Sequence, residues 1–311
     1  MKDKLGREIN YLRISVTKRC NLNCSYCGSK RITKEKELTP EEIKILVSAF
    51  AEKGIKKVRL TGGEPLLRED ITEIAREIKS IKGIKALYIT TNGILLKEKA
   101  LALKEAGVDG VNISIDTLDP EKYHELTGVN KLSAVMEGFY EALKVGFSSV
   151  KINSVLVRGK NDTEAERLIA LAKKNKADVR FIELMPFSEQ GENRELVITE
   201  KELLERFSYL VPLKENEQGA AKYYTADGFS GRVGFISPRS RKFCKDCNRI
   251  RVLSDGKLKP CLGNDKTYDI RPFISDKNKL SQIIDEVILN KPVSHHFEDG
   301  DFFRGLNLIG G

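Results

Sequence analysis

From Leu12 to Leu184 the chain alternates short apolar runs with helical periodicity, six times in succession, and that alternation constrains the fold more than any other feature. The strand-like runs are Leu12–Val16, Val58–Thr61, Ala86–Thr90, Val111–Ile115, Val150–Val157 and Val179–Leu184. Helical patterns separate them. One opens at Thr39-Pro40-Glu41-Glu42, where Thr is an N-cap, Pro takes the first helical position and Glu sits at the third, and it stops at Gly54. Others run from Glu69 to Ser80, Lys97 to Ala106, Ser133 to Val145 and Asp162 to Lys174, with a further start at Asp119-Pro120. Strand–helix units in unbroken series predict an α/β fold with a parallel sheet and right-handed crossovers. Six units suit an incomplete (βα)6 barrel; an open doubly wound sheet has the same signature. Either fold binds ligands at the carboxyl ends of its strands, and polar residues stand near those ends: Arg59, Thr90, Ser114, Asp116, Lys151 and Glu183.

The periodicity changes near Pro186. Ser188–Arg194 reads as a polar loop, Thr199-Glu200-Lys201-Glu202 starts a short helix reaching Phe207, and short strands follow at Leu210–Leu213, Lys222–Thr225 and Arg232–Ile236. Asp255-Gly256 marks a hairpin within Arg251–Leu258, and a last helix is expected over Asn278–Leu289. A soft boundary near residue 215 divides the chain into a partial barrel over 1–215 and a smaller C-terminal region over 216–311.

The six cysteines fall into two groups of three, Cys20/Cys24/Cys27 and Cys244/Cys247/Cys261, with none left over. The N-terminus lacks a signal-peptide pattern and no run of about 18 apolar residues occurs, so a cytoplasmic protein with no membrane contact is expected. There, clustered thiols bind metal more often than they form disulfides. Cys20-x3-Cys24-x2-Cys27 lies in the loop after the first strand, and three soft thiolates can hold three irons of a cubane cluster and leave the fourth open. Zinc would want a fourth ligand, and no histidine precedes His124. Cys244-x2-Cys247-x13-Cys261 resembles half a zinc ribbon, but after Cys261 no partner appears before His295 and His296. Arg249 and Arg251 would share one face of a strand beside it, as an anion- or base-reading pair. The net charge of +9 suits an anionic substrate, while sparse aromatics (7%, no Trp) disfavour nucleic-acid binding.

The first triad, with Tyr26 before its last cysteine, together with Gly62-Gly63-Glu64-Pro65 at the end of the second strand, resembles the radical S-adenosylmethionine (SAM) enzymes. The string Ser240-x2-Phe243-Cys244-x2-Cys247-Asn248-Arg249-Ile250-Arg251, then Gly256-Lys257-Leu258-Lys259-Pro260-Cys261-Leu262 and the Gly310-Gly311 terminus, is similar to the GTP 3′,8-cyclase family, which opens molybdenum cofactor biosynthesis. That resemblance spans nearly the whole chain. It implies a lyase of the radical SAM type that converts GTP to (8S)-3′,8-cyclo-7,8-dihydroguanosine 5′-triphosphate, with a 5′-deoxyadenosyl radical abstracting the ribose C3′ hydrogen. It implies two [4Fe–4S] clusters, one on Cys20, Cys24 and Cys27 that chelates SAM, and an auxiliary one on Cys244, Cys247 and Cys261 whose open iron binds guanine. By the same resemblance Tyr26, Gly63, Ser114 and Met185 contact SAM; Arg13, Arg59, Thr90, Lys151, Arg249 and Arg251 contact GTP; and Gly310 and Gly311 reach the active site. The product would pass to a cyclic pyranopterin monophosphate synthase, and the enzyme would be a monomer or homodimer. Arg180 matches the family without an assigned role. Gly28 departs from it, standing where many relatives carry Met-Pro. The residues themselves leave two other readings open: a different radical SAM enzyme with an auxiliary cluster, such as a peptide maturase, and a zinc-dependent nucleic-acid-binding protein.

Overall fold

The computed structural model describes residues 1–28, 36–214, 219–295, 297 and 305–310. His296, Gly311 and the expected boundary near 215 lie outside the described residues.

Six strands, β1 (Tyr11–Ser15), β2 (Lys57–Thr61), β3 (Ala86–Thr91), β4 (Gly110–Ser114), β5 (Ser149–Val155) and β6 (Asp178–Ile182), run parallel in sequence order. Between them lie α1 (Pro40–Glu52), α2 (Ile71–Ser80), α3 (Leu96–Glu105), α4 (Pro120–Thr127), α5 (Leu132–Lys144) and α6 (Ala165–Lys174). The capping box at α1 forms as the sequence dictates: the Glu42 N–H donates to the Thr39 hydroxyl at 3.1 Å, and the Thr39 N–H donates to the Glu42 carboxylate at 2.8 Å.

The later chain adds α7 (Glu189–Glu192), α8 (Glu200–Arg206), β7 (Val211–Pro212), β8 (Ala221–Thr225), β9 (Val233–Ile236), β10 (Arg249–Val252), β11 (Lys257–Lys259), β12 (Tyr268–Asp269), α9 (Lys277–Leu289) and α10 (Leu306–Ile309). All strands join one 12-stranded sheet in the order β12-β11-β10-β1-β2-β3-β4-β5-β6-β9-β8-β7. β10 pairs parallel with β1 and β9 parallel with β6, so the C-terminal third extends the barrel at both edges. Among the described residues the sheet does not close, since its outermost strands β12 and β7 do not pair with each other. The expected polar loop over Ser188–Arg194 is instead a helical turn, because the Ser188 hydroxyl accepts from the Gly191 N–H and supplies the cap.

Alternate strand residues divide the sheet into two faces. Leu12, Ile14, Val58, Leu60, Leu87, Ile89, Val111, Ile113, Ile152 and Val179 are buried in one apolar cluster with helix residues such as Leu46, Phe50, Ile74 and Phe139. Each such side chain stabilises the fold by about 2 kcal/mol. The opposite face is polar and makes the site.

Candidate active site

The register places the polar face row by row. Arg249, Tyr11, Lys57 and Ala86 lie abreast across β10, β1, β2 and β3. The next row is Arg251, Arg13, Arg59, Tyr88 and Gly110. Further round, Thr90, Asn112, Lys151 and Asp178 align, followed by Ser114, Asn153, Arg180 and Gly234. Neighbours in register point to one side of a sheet, so these cations share one concave surface. Lys151 stands in the first half of β5 and Arg59 mid-strand in β2, not at the carboxyl ends. Lys151 is the third residue of β5, which runs from Ser149 to Val155.

The two thiol triads sit at opposite ends of that surface. Cys20, Cys24 and Cys27 follow the carboxyl end of β1, whereas Cys247 stands two residues before the first residue of the parallel strand β10. Cys261 follows β11, which is antiparallel to β10 and therefore ends on the same side. Four residue steps along β1, about 13 Å at the usual rise, separate the two ends.

The first loop is pinned from several elements. The Gly63 N–H donates to Thr17 O and the Glu64 N–H to Arg19 O, both at 2.8 Å. A Cβ on Gly63 would lie 2.2 Å from Arg19 O, so only glycine lets the β2 turn press this close to the loop entering Cys20. The Asn23 and Ser25 N–H groups donate to Thr127 O and Leu126 O at the end of α4, and the Asn92 amide reaches Asn21 at 2.7 Å. Glu64 is buried; its carboxylate accepts from Leu66 N, Asn92 N and the Thr91 hydroxyl, and burial raises its pKa to about 7. The Tyr26 hydroxyl donates to Asp116, whose other oxygen accepts from Val155 N at 2.7 Å; burial raises Asp116 to about 6. Ser114 ends β4 two residues before Asp116. Met185 follows β6 and packs against Phe187, Leu253, Phe297 and Ile309.

The tail returns to this loop. The Leu306 N–H donates to Cys27 O at 2.9 Å and the Asn307 amide to Lys18 O at 3.3 Å. The Gly310 carbonyl accepts from Arg251 at 2.7 Å, beside Ser15 and Thr61. Gly28 has φ +64°, and a Cβ there would meet Phe187 O at 2.5 Å, so the chain leaves the first triad by a path that Met could take only with strain.

Both triads suit thiolate-held clusters. Burial raises Cys20, Cys24 and Cys27, the last to about 11, and the thiols of Cys27 and Cys20 push Cys24 further up, so they lie close enough to repel as anions. Iron would relieve that repulsion, and the backbone of Leu22 beside Cys20 and of Asn307 and Leu306 beside Cys27 favours the thiolate forms that a cluster needs. At the second triad burial raises Cys244, Cys261 and Cys247 push it further up, and the backbone of His295 favours its thiolate. Burial would raise Cys247, but Arg249 and Lys291 outweigh it and bring it down to about 7. The His295 ring engages Pro238 O at 2.8 Å and stacks on Phe297, which gives it another role than completing a zinc ribbon.

Several residues of the face escaped sequence reasoning. Lys57 and Asn153 lie two positions from Arg59 and Lys151, so strand alternation would have found them. Arg180 donates to Asn153 at 2.6 Å and 3.0 Å. Lys151 bonds Tyr223 at 3.0 Å and Asp178 at 3.1 Å, and Arg232 lies over the Tyr223 ring at 4.2 Å. Tyr11 and Tyr88 hold Lys57 between their rings at 4.9 Å and 4.7 Å. No short-range signal announces Tyr223, which arrives from β8.

The Radical SAM superfamily model matches residues 14–172, and the Molybdenum Cofactor Synthesis C model matches residues 177–297. Among curated relatives, a GTP 3′,8-cyclase of Alkaliphilus oremlandii is 46% identical over 100% of both chains. One of Peptoclostridium acidaminophilum is 43% identical over 99% of this chain and 98% of its own. Among solved structures, Streptococcus suis SuiB bound to S-adenosylmethionine superposes with a TM-score of 0.63 at 15% identity, over 97% of this chain and 77% of that one. Native anSMEcpe with bound AdoMet gives 0.56 at 20% identity, over 81% and 74%.

Proposed function

The chain belongs to the GTP 3′,8-cyclase family of the radical SAM superfamily, and from that membership we propose the roles of its residues in turning GTP into its 3′,8-cyclised dihydro form, the first step of molybdenum cofactor biosynthesis. The observation that carries this reading is the placement of two thiol triads at opposite ends of one cationic face. A nucleoside triphosphate bound on that face would put its sugar toward one triad and its base toward the other.

Cys20, Cys24 and Cys27 would hold a [4Fe–4S] cluster that binds SAM, and Cys244, Cys247 and Cys261 would hold the second. With SAM bound, the first would supply a carbon-centred radical able to take the ribose C3′ hydrogen. The protein supplies the rest. Tyr26, Gly63, Ser114 and Met185 shape the SAM site around the first loop. Arg13, Arg59, Thr90 and Lys151 receive the triphosphate and ribose, since guanidinium and ammonium groups pair with phosphate oxygens at short range. Arg249 and Arg251 orient the base beside the second triad, and Gly310 and Gly311 close the cavity from the tail. The cavity keeps C3′ and C8 together and excludes water, which a radical sequence needs. A partial barrel over 1–215 and a cluster-binding region over 216–311 divide these tasks. We place the enzyme in the cytoplasm, as a monomer or homodimer without nucleic-acid or membrane partners, passing its product to a cyclic pyranopterin monophosphate synthase. Among the described residues no helix is long and apolar enough to cross a membrane.

The test is anaerobic turnover of the iron-loaded protein with GTP, SAM and a strong reductant. 5′-Deoxyadenosine and a cyclised nucleotide should accumulate together. Formation of 5′-deoxyadenosine no faster than in the control without GTP would overturn the substrate assignment. Zinc in place of iron and sulfide would overturn the cluster assignment.

A further inference from the structure

Lys291 lies outside every motif that marks the site, yet its side chain ends among the second triad's supports. It is a buried lysine two residues past α9. Its ammonium donates to Arg249 O at 2.8 Å and, still closer, to Pro260 O. Arg249 opens β10 two residues after Cys247, and Pro260 immediately precedes Cys261. One ammonium therefore joins the chain segments that carry two of the three cysteines. The third is joined through the backbone beside it. Arg7, braced by Asp3, donates to Lys291 O at 3.2 Å, Pro292 O at 2.7 Å and Val293 O at 3.2 Å, and also to Cys244 O at 2.9 Å.

Among the described residues, the carboxylates of Glu64 and Asp116 act on Cys20 and Cys24 of the first triad. The second triad is faced by cations: Arg249 and Lys291 act on Cys247, and Arg7 acts on Cys244. Burial disfavours the Lys291 ammonium, while the sulfurs of Cys247 and Cys261 favour it. Reduction adds negative charge to a cluster, so nearby cations stabilise the reduced form and nearby carboxylates oppose it.

We propose that Lys291 is a positioning residue of the second cluster, tying Arg249 and Pro260 beside the cysteines and holding that cluster at a higher reduction potential than it would have without the ammonium. Lys291 differs in this from Arg249, whose guanidinium lies over the Phe243 ring at 5.0 Å, because the Lys291 ammonium is spent on protein carbonyls.

The inference rests on the two-cluster reading. Its test is potentiometric EPR of the anaerobically reconstituted wild type and of Lys291→Gln, which keeps most of the volume and an NH2 donor group but no charge. A companion chain carrying Cys20→Ser, Cys24→Ser and Cys27→Ser assigns the signals of the second cluster. In Lys291→Gln the second midpoint should shift negative while the first stays put. Lys291→Arg, which keeps the charge, should retain the wild-type value. An unmoved second midpoint with full iron and sulfide, or an equal shift of both clusters, overturns the proposal. Should Lys291→Gln lose the second cluster, Lys291→Arg decides: a retained cluster at the wild-type midpoint supports the proposal, and a lost or shifted one overturns it. Wild-type protein lacking iron and sulfide for two clusters overturns the underlying reading as well.

Discussion

Tyr11 shows how a single residue answers to the charges beside it. Its hydroxyl accepts from Arg59 Nε, and the Lys57 ammonium sits over its ring at 4.9 Å. Burial by itself would raise a phenol's pKa; the charges of Arg59, Arg13 and Lys57 outweigh it and bring Tyr11 down to about 7. A group with a lowered folded pKa releases its proton earlier in the folded state than in the unfolded chain. Ionised Tyr11 therefore favours the fold increasingly from about pH 7 up to the ordinary tyrosine pKa of about 10, and that contribution is lost as pH falls through about 7. Ultraviolet titration should find one phenolate forming near neutrality that is absent in Tyr11→Phe. Bound GTP should move that titration upward, because its phosphates take over the same cations. A wild-type titration with no near-neutral phenolate would refute the assignment.

At the scale of elements, most of the barrel was legible because its signals are local. Strand periodicity, the Thr39 and Thr199 capping boxes and the Asp255-Gly256 hairpin all formed where the sequence placed them, within a residue or two. The edge placements of β9 and β10 were not legible, since each depends on a partner far away in the chain, β6 and β1. The four-residue helix α10 and the contacts of Arg7 and Lys291 are likewise tertiary, with no spacing to announce them. The Gly62-Gly63 turn was legible as a motif, but its packing was not. The glycines admit the backbone of Thr17 and Arg19 as neighbours. Gly63→Ala forces Arg19 O aside, a change that costs about 1–3 kcal/mol in a tightly packed site. Its effect should fall on the first triad alone: iron and sulfide per chain should drop by about half, and the Cys244/Cys247/Cys261 cluster should survive. Full occupancy of both clusters in Gly63→Ala would show that the turn does not position the Cys20 loop.

For the whole molecule, the sheet order makes the C-terminal third part of the barrel's own edges. β10 covers β1, and β9 covers β6, in parallel registers that extend the central sheet. β1 carries the buried Leu12 and Ile14, and β6 the buried Val179 and Phe181. Stripped of their neighbours, both strands would present unpaired N–H and C=O groups along apolar edges, which promote association. The same truncation removes Arg251, which shares a row with Arg13 and Arg59, and the carbonyl partner of the Tyr11 N–H at Asn248. A fragment ending at residue 214 keeps the whole first triad and all six internal strands, yet it should not fold as a stable unit. It should be recovered mainly as aggregate, or as a soluble species without a cooperative thermal transition, whereas the full chain should melt in one step. A monomeric fragment with a sharp melt and a loaded first cluster would show that the barrel closes its own edges, and the second triad would then be an appendage.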